Sequence, residues 1–313
     1  MYFPYLRSNT NEVLAVYELA PKLAKSGLVV PLFNVVNAND VFASRVKRII
    51  EEGHKVCVIA NTAPFDQRGE LYDLLDELEA NFAGLVLPGF ELIADTSDSA
   101  VRDFAKRFAQ RQTVIVHRKQ SAIADLRASL KGLVKPAVHV YFEDCLPGAK
   151  AHAAPSIGDV IVKDGFAKKL KNGLYPPQSQ FSTYLDAYLG AGYLGFGDFA
   201  AIGDHYKVGG GKASNVALHL TERLNGKMVC NHFVSDDAYV DSHIHFQYED
   251  ALDKLKGYVG NPIKKIFGTT GVINGYLGDP GFHGLGLPKR WSLKHNLEMI
   301  EGFLLARGAK PFI

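Results

Sequence analysis

Six short apolar runs, each closed by a polar or charged residue, alternate with helix-like segments over the first half of this chain. They are Tyr2–Leu6, Val29–Phe33, Lys55–Ala60, Leu85–Leu87, Thr113–Val116 and Val138–Phe142, and a seventh, Asp159–Val162, follows at the same rhythm. Near-continuous apolar runs of this length describe parallel strands buried on both faces. The segments between them carry helical spacing: Leu71, Leu74, Leu75 and Leu78 lie at i, i+3, i+4 and i+7, and Val101, Phe104, Ala105 and Phe108 repeat the pattern. Ser97 and Asp98 are good N-cap residues for the latter helix. Ile123, Leu126, Leu130 and Leu133 predict a helix after Ser121, Val41, Val46, Ile49 and Ile50 another ending near Gly53, and Glu12–Lys25 the first.

Strand, helix, strand at this spacing is a chain of βαβ units, and right-handed crossovers put the helices on the outside. No Gly-rich turn follows the first strand, which disfavours an open dinucleotide-binding sheet. The chain has 313 residues, a length that suits a (β/α)8 barrel. The rhythm breaks after residue 165, where Pro176–Pro177 stops any helix and Phe181–Leu189 reads as a short one. The eighth strand is expected within Gly192–Tyr206. Ser214–Leu220 and Met228–Val234 read as a β-hairpin turning at Asn225-Gly226, and Glu249–Val259 and Ser292–Leu305 as helices. The expectation is one TIM-type barrel domain, residues 1–313, with a hairpin insertion (206–247) after the last barrel strand.

A formal net charge of +2 argues against a nucleic-acid surface, although Lys163, Lys168, Lys169 and Lys171 offer a short basic stripe. Three cysteines, Cys57, Cys145 and Cys230, cannot all pair in one chain and suit a reducing compartment. The opening residues lack the form of a signal peptide, and no apolar run approaches the ~20 residues of a membrane helix. A soluble, cytoplasmic protein is expected.

GFGDFAAIGDHY (Gly195–Tyr206), HFVSDD (His232–Asp237) and FHGLGLPKRWSLKHNLEMI (Phe282–Ile300), together with the opening MYFPYLR, resemble the blocks of the "beta protein" family of bacterial and phage-encoded proteins. The resemblance covers essentially the whole chain. Val208–Thr221 follows the family in outline only, with Gly211-Lys212 where Gly-Pro is expected, and Leu170–Pro176 keeps only part of its stretch. What the resemblance implies is a setting: mobile elements and anti-phage gene neighbourhoods, beside a nuclease-like protein partner. It implies no reaction.

In a parallel barrel the active face lies at the C-terminal strand ends. The residues that follow the runs are Arg7, Asn34, Asn61, Pro88, His117, Glu143 and Lys163. Glu143 and Asp144 suit a divalent cation or a general base, and Lys163 a phosphate contact or a nucleophile. His117 and Arg118, with Arg7, would make one rim positive and hold a phosphate in two-point geometry. Asp198, Asp204 and His205 lie among glycines inside the resemblance block. Catalytic candidates are therefore Glu143, Asp144, Lys163, Asp198 and Asp204, with Glu143, Asp198 and Asp204 as metal ligands. Ligand candidates are Arg7, Asn34, Asn61, His117, Arg118, His205 and His232. His232 stands beside Asp236 and Asp237, a metal-compatible grouping, and His243 and His245 would share one face of a strand. Gly209–Lys212 is not a P-loop, because its first glycine is missing and Ala213 replaces Ser/Thr. Trp291 and His283 suit either a partner contact or helix packing.

Two readings follow. One is an enzyme, a metal-assisted hydrolase or lyase acting on a phosphate-bearing small molecule or nucleotide. The other is a non-catalytic recognition subunit of a phage-defence pair. A polar residue after nearly every strand favours the first.

Overall fold

The computed structural model describes residues 1–146, 156–205, 215–237, 243–260, 267–278 and 281–311. Gly209–Lys212, the segment that fails as a P-loop, lies outside them. Among the described residues no helix is long and apolar enough to cross a membrane. The chain divides into two compact units: Met1–Lys163 with Ala187–Asp198 and Gly308–Ile313, and Asp164–Asp186 with Phe199–Arg307.

The first unit is the barrel. Its strands are β1 (Tyr5–Arg7), β2 (Leu32–Asn34), β3 (Val56–Ile59), β4 (Val86–Leu92), β5 (Val114–His117), β6 (Ala137–Phe142) and β7 (Ser156–Val162), followed after a gap by β9 (Gly195–Gly197). All pair in parallel, in the order β1-β2-β3-β4-β5-β6-β7-β9. The sheet closes on itself: Phe3 N–H donates to the Phe196 carbonyl at 2.8 Å, Tyr5 N–H to the Asp198 carbonyl at 2.8 Å, and Tyr2 bridges Phe196. Closure leaves no sheet edge to protect. Helices α1 (Thr10–Ser26), α2 (Asp40–Glu51), α3 (Arg68–Asn81) and α4 (Asp98–Arg107) fill the crossovers. The Ser97 cap forms as expected, its hydroxyl accepting from Ala100 N–H.

Two expectations about this unit need correction. The helix after Ser121 shrinks to α5 (Leu126–Ser129), capped by Asp125, whose carboxylate accepts from Ala128 N–H at 2.9 Å. An N-cap carboxylate pins the helix start more firmly than the apolar periodicity upstream. The fourth strand does not stop before Pro88 but runs on to Leu92. The proline is tolerated because Pro88 registers only with Val58 of β3, and β5 joins from Gly89 onward.

The second unit is built on an antiparallel sheet of order β10-β11-β8: β8 (Gln178–Ser182), β10 (Ala217–Leu224) and β11 (Lys227–Val234). The hairpin turns at Asn225 (φ 50) and Gly226 (φ 78), the left-handed pair a type I′ turn demands. Gly226→Ala is expected to cost about 1 kcal/mol, read by urea denaturation, because φ is strained although nothing lies within 4 Å of the new Cβ. One sheet face (Leu218, Leu220, Phe233) packs in an apolar cluster with Tyr248, Ala251 and Leu255 of α7 (Ile244–Val259). Helix α8 (Gly286–Ala306) covers the free edge of β10: Ser292 Oγ donates to the His219 carbonyl at 2.6 Å, and His295 Nε2 bonds the Thr221 carbonyl at 2.7 Å. The unit is thus larger than the expected insertion at 206–247. The short helix expected at Phe181–Leu189 is instead the end of strand β8 followed by α6 (Tyr184–Gly190). Strand β8 forms because β11 supplies its partners, a long-range pairing that local propensity does not report.

Candidate functional site

The mouth of the barrel gathers polar groups around a cross-barrel contact. Tyr5 on β1 donates its hydroxyl hydrogen to Glu91 Oε2 on β4. These strands are not neighbours, so both side chains point inward. Asn34 Nδ2 donates to the same hydroxyl at 2.6 Å, and the Phe142 ring meets the Tyr5 ring edge-on at 5.5 Å. Alternation then puts Arg7, two residues beyond Tyr5, on the inner side as well. The Arg118 guanidinium lies over the Phe142 ring at 4.3 Å and the Tyr5 ring at 5.8 Å. Burial, reinforced by the Glu91 carboxylate, raises the Tyr5 hydroxyl well above the usual tyrosine range, so it stays protonated.

Several sequence candidates belong to this mouth. Arg7 is buried, and its backbone N–H donates to Glu12 Oε2 at 2.6 Å. Asn61 anchors the end of β4 from both sides: its Nδ2 donates to the Glu91 carbonyl at 2.8 Å, and its Oδ1 accepts from Glu91 N–H at 2.7 Å. Lys163 Nζ donates to Glu143 Oε1 at 2.8 Å on the exposed rim. Asp144 is exposed in the turn Glu143–Cys145 after β6.

Others turn away. His117 registers opposite Tyr141, not beside the inward Phe142. It stacks on Tyr141 at 4.3 Å and shares a 2.9 Å hydrogen bond with His139, on the outer side of the barrel. Asp198 follows inward-facing Gly197 and so faces out, where its Oδ1 accepts from the Tyr2 hydroxyl at 2.6 Å. Of the expected metal set, Glu143 is thus paired with Lys163 and Asp198 with Tyr2. Asp204, in the second unit, takes its position from Asp164, whose carboxylate accepts the backbone N–H groups of Asp204 at 2.8 Å and Phe166 at 2.9 Å. His205 is exposed nearby in sequence. Glu143, Asp198 and Asp204 form no metal-ligand cluster among the described residues.

The expected grouping of His232 with Asp236 and Asp237 does not form. Asp236 pairs with Lys254 at 2.6 Å, and Asp237 lies 3.3 Å from Asn215 Nδ2. His243 and His245 are not on a strand: His243 caps α7 and His245 lies in its first turn, 3.1 Å from Glu249. Trp291 packs at 5.2 Å, edge to face, on Tyr276 and against the apolar cluster, which is the helix-packing role, whereas His283 is exposed.

His232 belongs instead to a compact cluster on the second face of the three-stranded sheet. His219 on β10 registers directly opposite His232 on β11, and Cys230 shares the face two residues earlier. The two imidazoles meet through their Nδ1 atoms at 2.8 Å, and Cys230 Sγ lies 3.9 Å from His232 Nδ1. Ser179 on β8 shares a 2.8 Å bond with His232 Nε2. Tyr175 stacks on His232 at 4.7 Å, and Phe166 meets His219 edge-on at 4.9 Å. Burial lowers His219 to about 3 and His232 to about 4, keeping both rings neutral, and pushes the Cys230 thiol up.

Sequence reasoning missed Glu91, Tyr5, His219 and Cys230. Tyr5 and Glu91 lie inside strands whose ends were placed elsewhere. The alternation Leu87, Gly89, Glu91 was a usable signal: Gly89 is inward, where an added Cβ would sit 2.8 Å from Cys57 Sγ, and Glu91 shares that face. His219 and Cys230 are linked only by strand register.

No protein-family model matches this chain, and no curated protein does. Among solved structures it is similar to one described as the crystal structure of the Bacillus cereus spore cortex-lytic enzyme SleL, at 14% identity and TM-score 0.34, over 94% of this chain and 74% of that one. At those values the barrel assignment rests on the strand order itself.

Proposed function

We propose that the barrel mouth binds a small phosphate-bearing molecule and acts on it by proton transfer, as a hydrolase or lyase, with Glu91 as the acid–base group. The observation that carries this reading is the cross-barrel Tyr5–Glu91 contact, flanked by Arg7, Arg118 and Lys163 at the ends of β1, β5 and β7. A carboxylate held away from water by an aromatic hydroxyl is suited to proton transfer. Guanidinium forks suit the two-point geometry of a phosphate. Tyr5 orients the carboxylate, Asn61 fixes the strand end that carries it, and Asn34 donates to the Tyr5 hydroxyl. The family resemblance adds the setting we propose for this reaction, phage defence beside a nuclease-like protein.

The test is a thermal-shift survey with inorganic phosphate, sugar phosphates and nucleotides. A stabilising ligand is expected, and Arg118→Ala should weaken its binding tenfold or more, about 1.4 kcal/mol. Glu91→Gln should keep the ligand shift while lowering turnover of that ligand about a hundredfold or more. No shift with any phosphate compound, or equal shifts in wild type and Arg118→Ala, would defeat the proposal.

A further inference from the structure

We infer that His219, Cys230 and His232 form a binding site for a thiophilic divalent cation, zinc foremost, in the second unit. One donor atom from each of the three residues, an imidazole nitrogen from each histidine and the Cys230 Sγ, lies within 4.8 Å of the other two. A tetrahedral zinc with nitrogens at about 2.0 Å and sulfur at about 2.3 Å spaces its ligands roughly 3.3–3.8 Å apart. The separations here, 2.8 Å between the imidazole nitrogens and 3.9 Å from His232 Nδ1 to Sγ, bracket that range. The imidazole pair would have to open by about half an ångström to reach it.

The surroundings fit a metal as well as the donors do. A cross-strand pair with a third ligand two residues along is held by backbone register, so the set is preorganised by the hairpin. His232 presents Nδ1 to the cluster and has its other ring nitrogen bonded to Ser179, the outer-shell arrangement that fixes a ligating imidazole. Phe166 and Tyr175 border the imidazole pair and limit water on that side. One thiolate and two imidazoles select zinc, or copper, over magnesium or calcium. Three protein ligands leave a fourth position for water or an exogenous group. Binding exchanges the Cys230 thiol proton for a metal–sulfur bond and releases that proton to solvent.

The experiment is a titration of the full-length chain, stripped with a chelator, with cobalt(II) and then zinc. One equivalent of cobalt is expected to bind with a thiolate-to-cobalt charge-transfer band in the near ultraviolet, and zinc should bleach it by displacement. Cys230→Ser should lose the band with its circular dichroism unchanged. His219→Gln and His232→Gln should each weaken cobalt binding tenfold or more, which keeps the test decisive should the cysteine variant not fold. No stoichiometric cobalt, cobalt without the band, or a band that survives in Cys230→Ser would each overturn the proposal.

Discussion

Gly197→Ala is expected to destabilise the barrel by about 3 kcal/mol or more, lowering Tm by roughly 6 °C or more. Gly197 is the inward position at the end of the closing strand. A Cβ there would collide with the Phe3 carbonyl oxygen and sit 2.9 Å from Val162 Cγ2. The carbonyl is backbone and cannot rotate away as a side chain would. Relief requires β9 to separate from the first strand, which endangers the Phe3–Phe196 and Tyr5–Asp198 hydrogen bonds that close the sheet. Gly302→Ala in α8 is the control. Nothing lies within 4 Å of its new Cβ, and an exposed helical glycine replaced by alanine should gain about 0.5–1 kcal/mol. Thermal and urea melts of both variants check the pair, and an unchanged Gly197→Ala transition would mean that the closure is not tight.

The second large effect is a steep loss of stability in mild acid. His54, His139 and His295 are buried, and burial lowers each from 6.5 to about 4. His139 and His295 reach that value despite nearby groups that push the other way, Asp159 for the former and the Thr221 carbonyl for the latter. The unfolded chain takes up protons near pH 6.5 and the folded chain only near 4. Stability is therefore full above about pH 6.5, falls between 6.5 and 4, and loses nothing further from these groups below 4. Each residue withdraws up to about 3 kcal/mol across that window. His54 and His139 act on the first unit and His295 on the second, so both units lose stability across this window. Against a total of 5–15 kcal/mol for a typical domain, the roughly 4 kcal/mol that His54 and His139 together withdraw from the barrel by pH 5 is a large share of its stability. His54 supplies the check, since neither ring nitrogen has a hydrogen-bond partner among the described residues. His54→Leu should raise stability at pH 7 by about 1–2 kcal/mol and flatten the slope between pH 5 and 6 by about 1.4 kcal/mol per pH unit. An unchanged slope would show that His54 titrates normally in the folded protein.

Much of the architecture was legible in the chain. The seven apolar runs overlap β1 to β7, with ends within three residues except at β4, which runs five residues past Leu87, because strands buried on both faces cannot carry polar residues without cost. The Asn225-Gly226 turn was readable because few residues accept positive φ at two successive positions. Strand β8 was not, since its hydrogen bonds come from β11, about fifty residues away.

The site was only partly legible, for a related reason. Composition at the strand ends marked Arg7, Asn34, Asn61, Arg118, Glu143 and Lys163, and these do reach the mouth of the barrel. It also marked His117 and Asp198, which a shift of one residue in strand parity turns to the outside. The sequence by itself determined that parallel strands alternate with helices and that polar groups follow them, because apolar periodicity is a local property. Only the tertiary structure decided that Tyr5 meets Glu91 and that His219 meets Cys230 and His232. Those contacts depend on barrel closure and strand register, and both are set by hydrogen bonds between residues far apart in the chain.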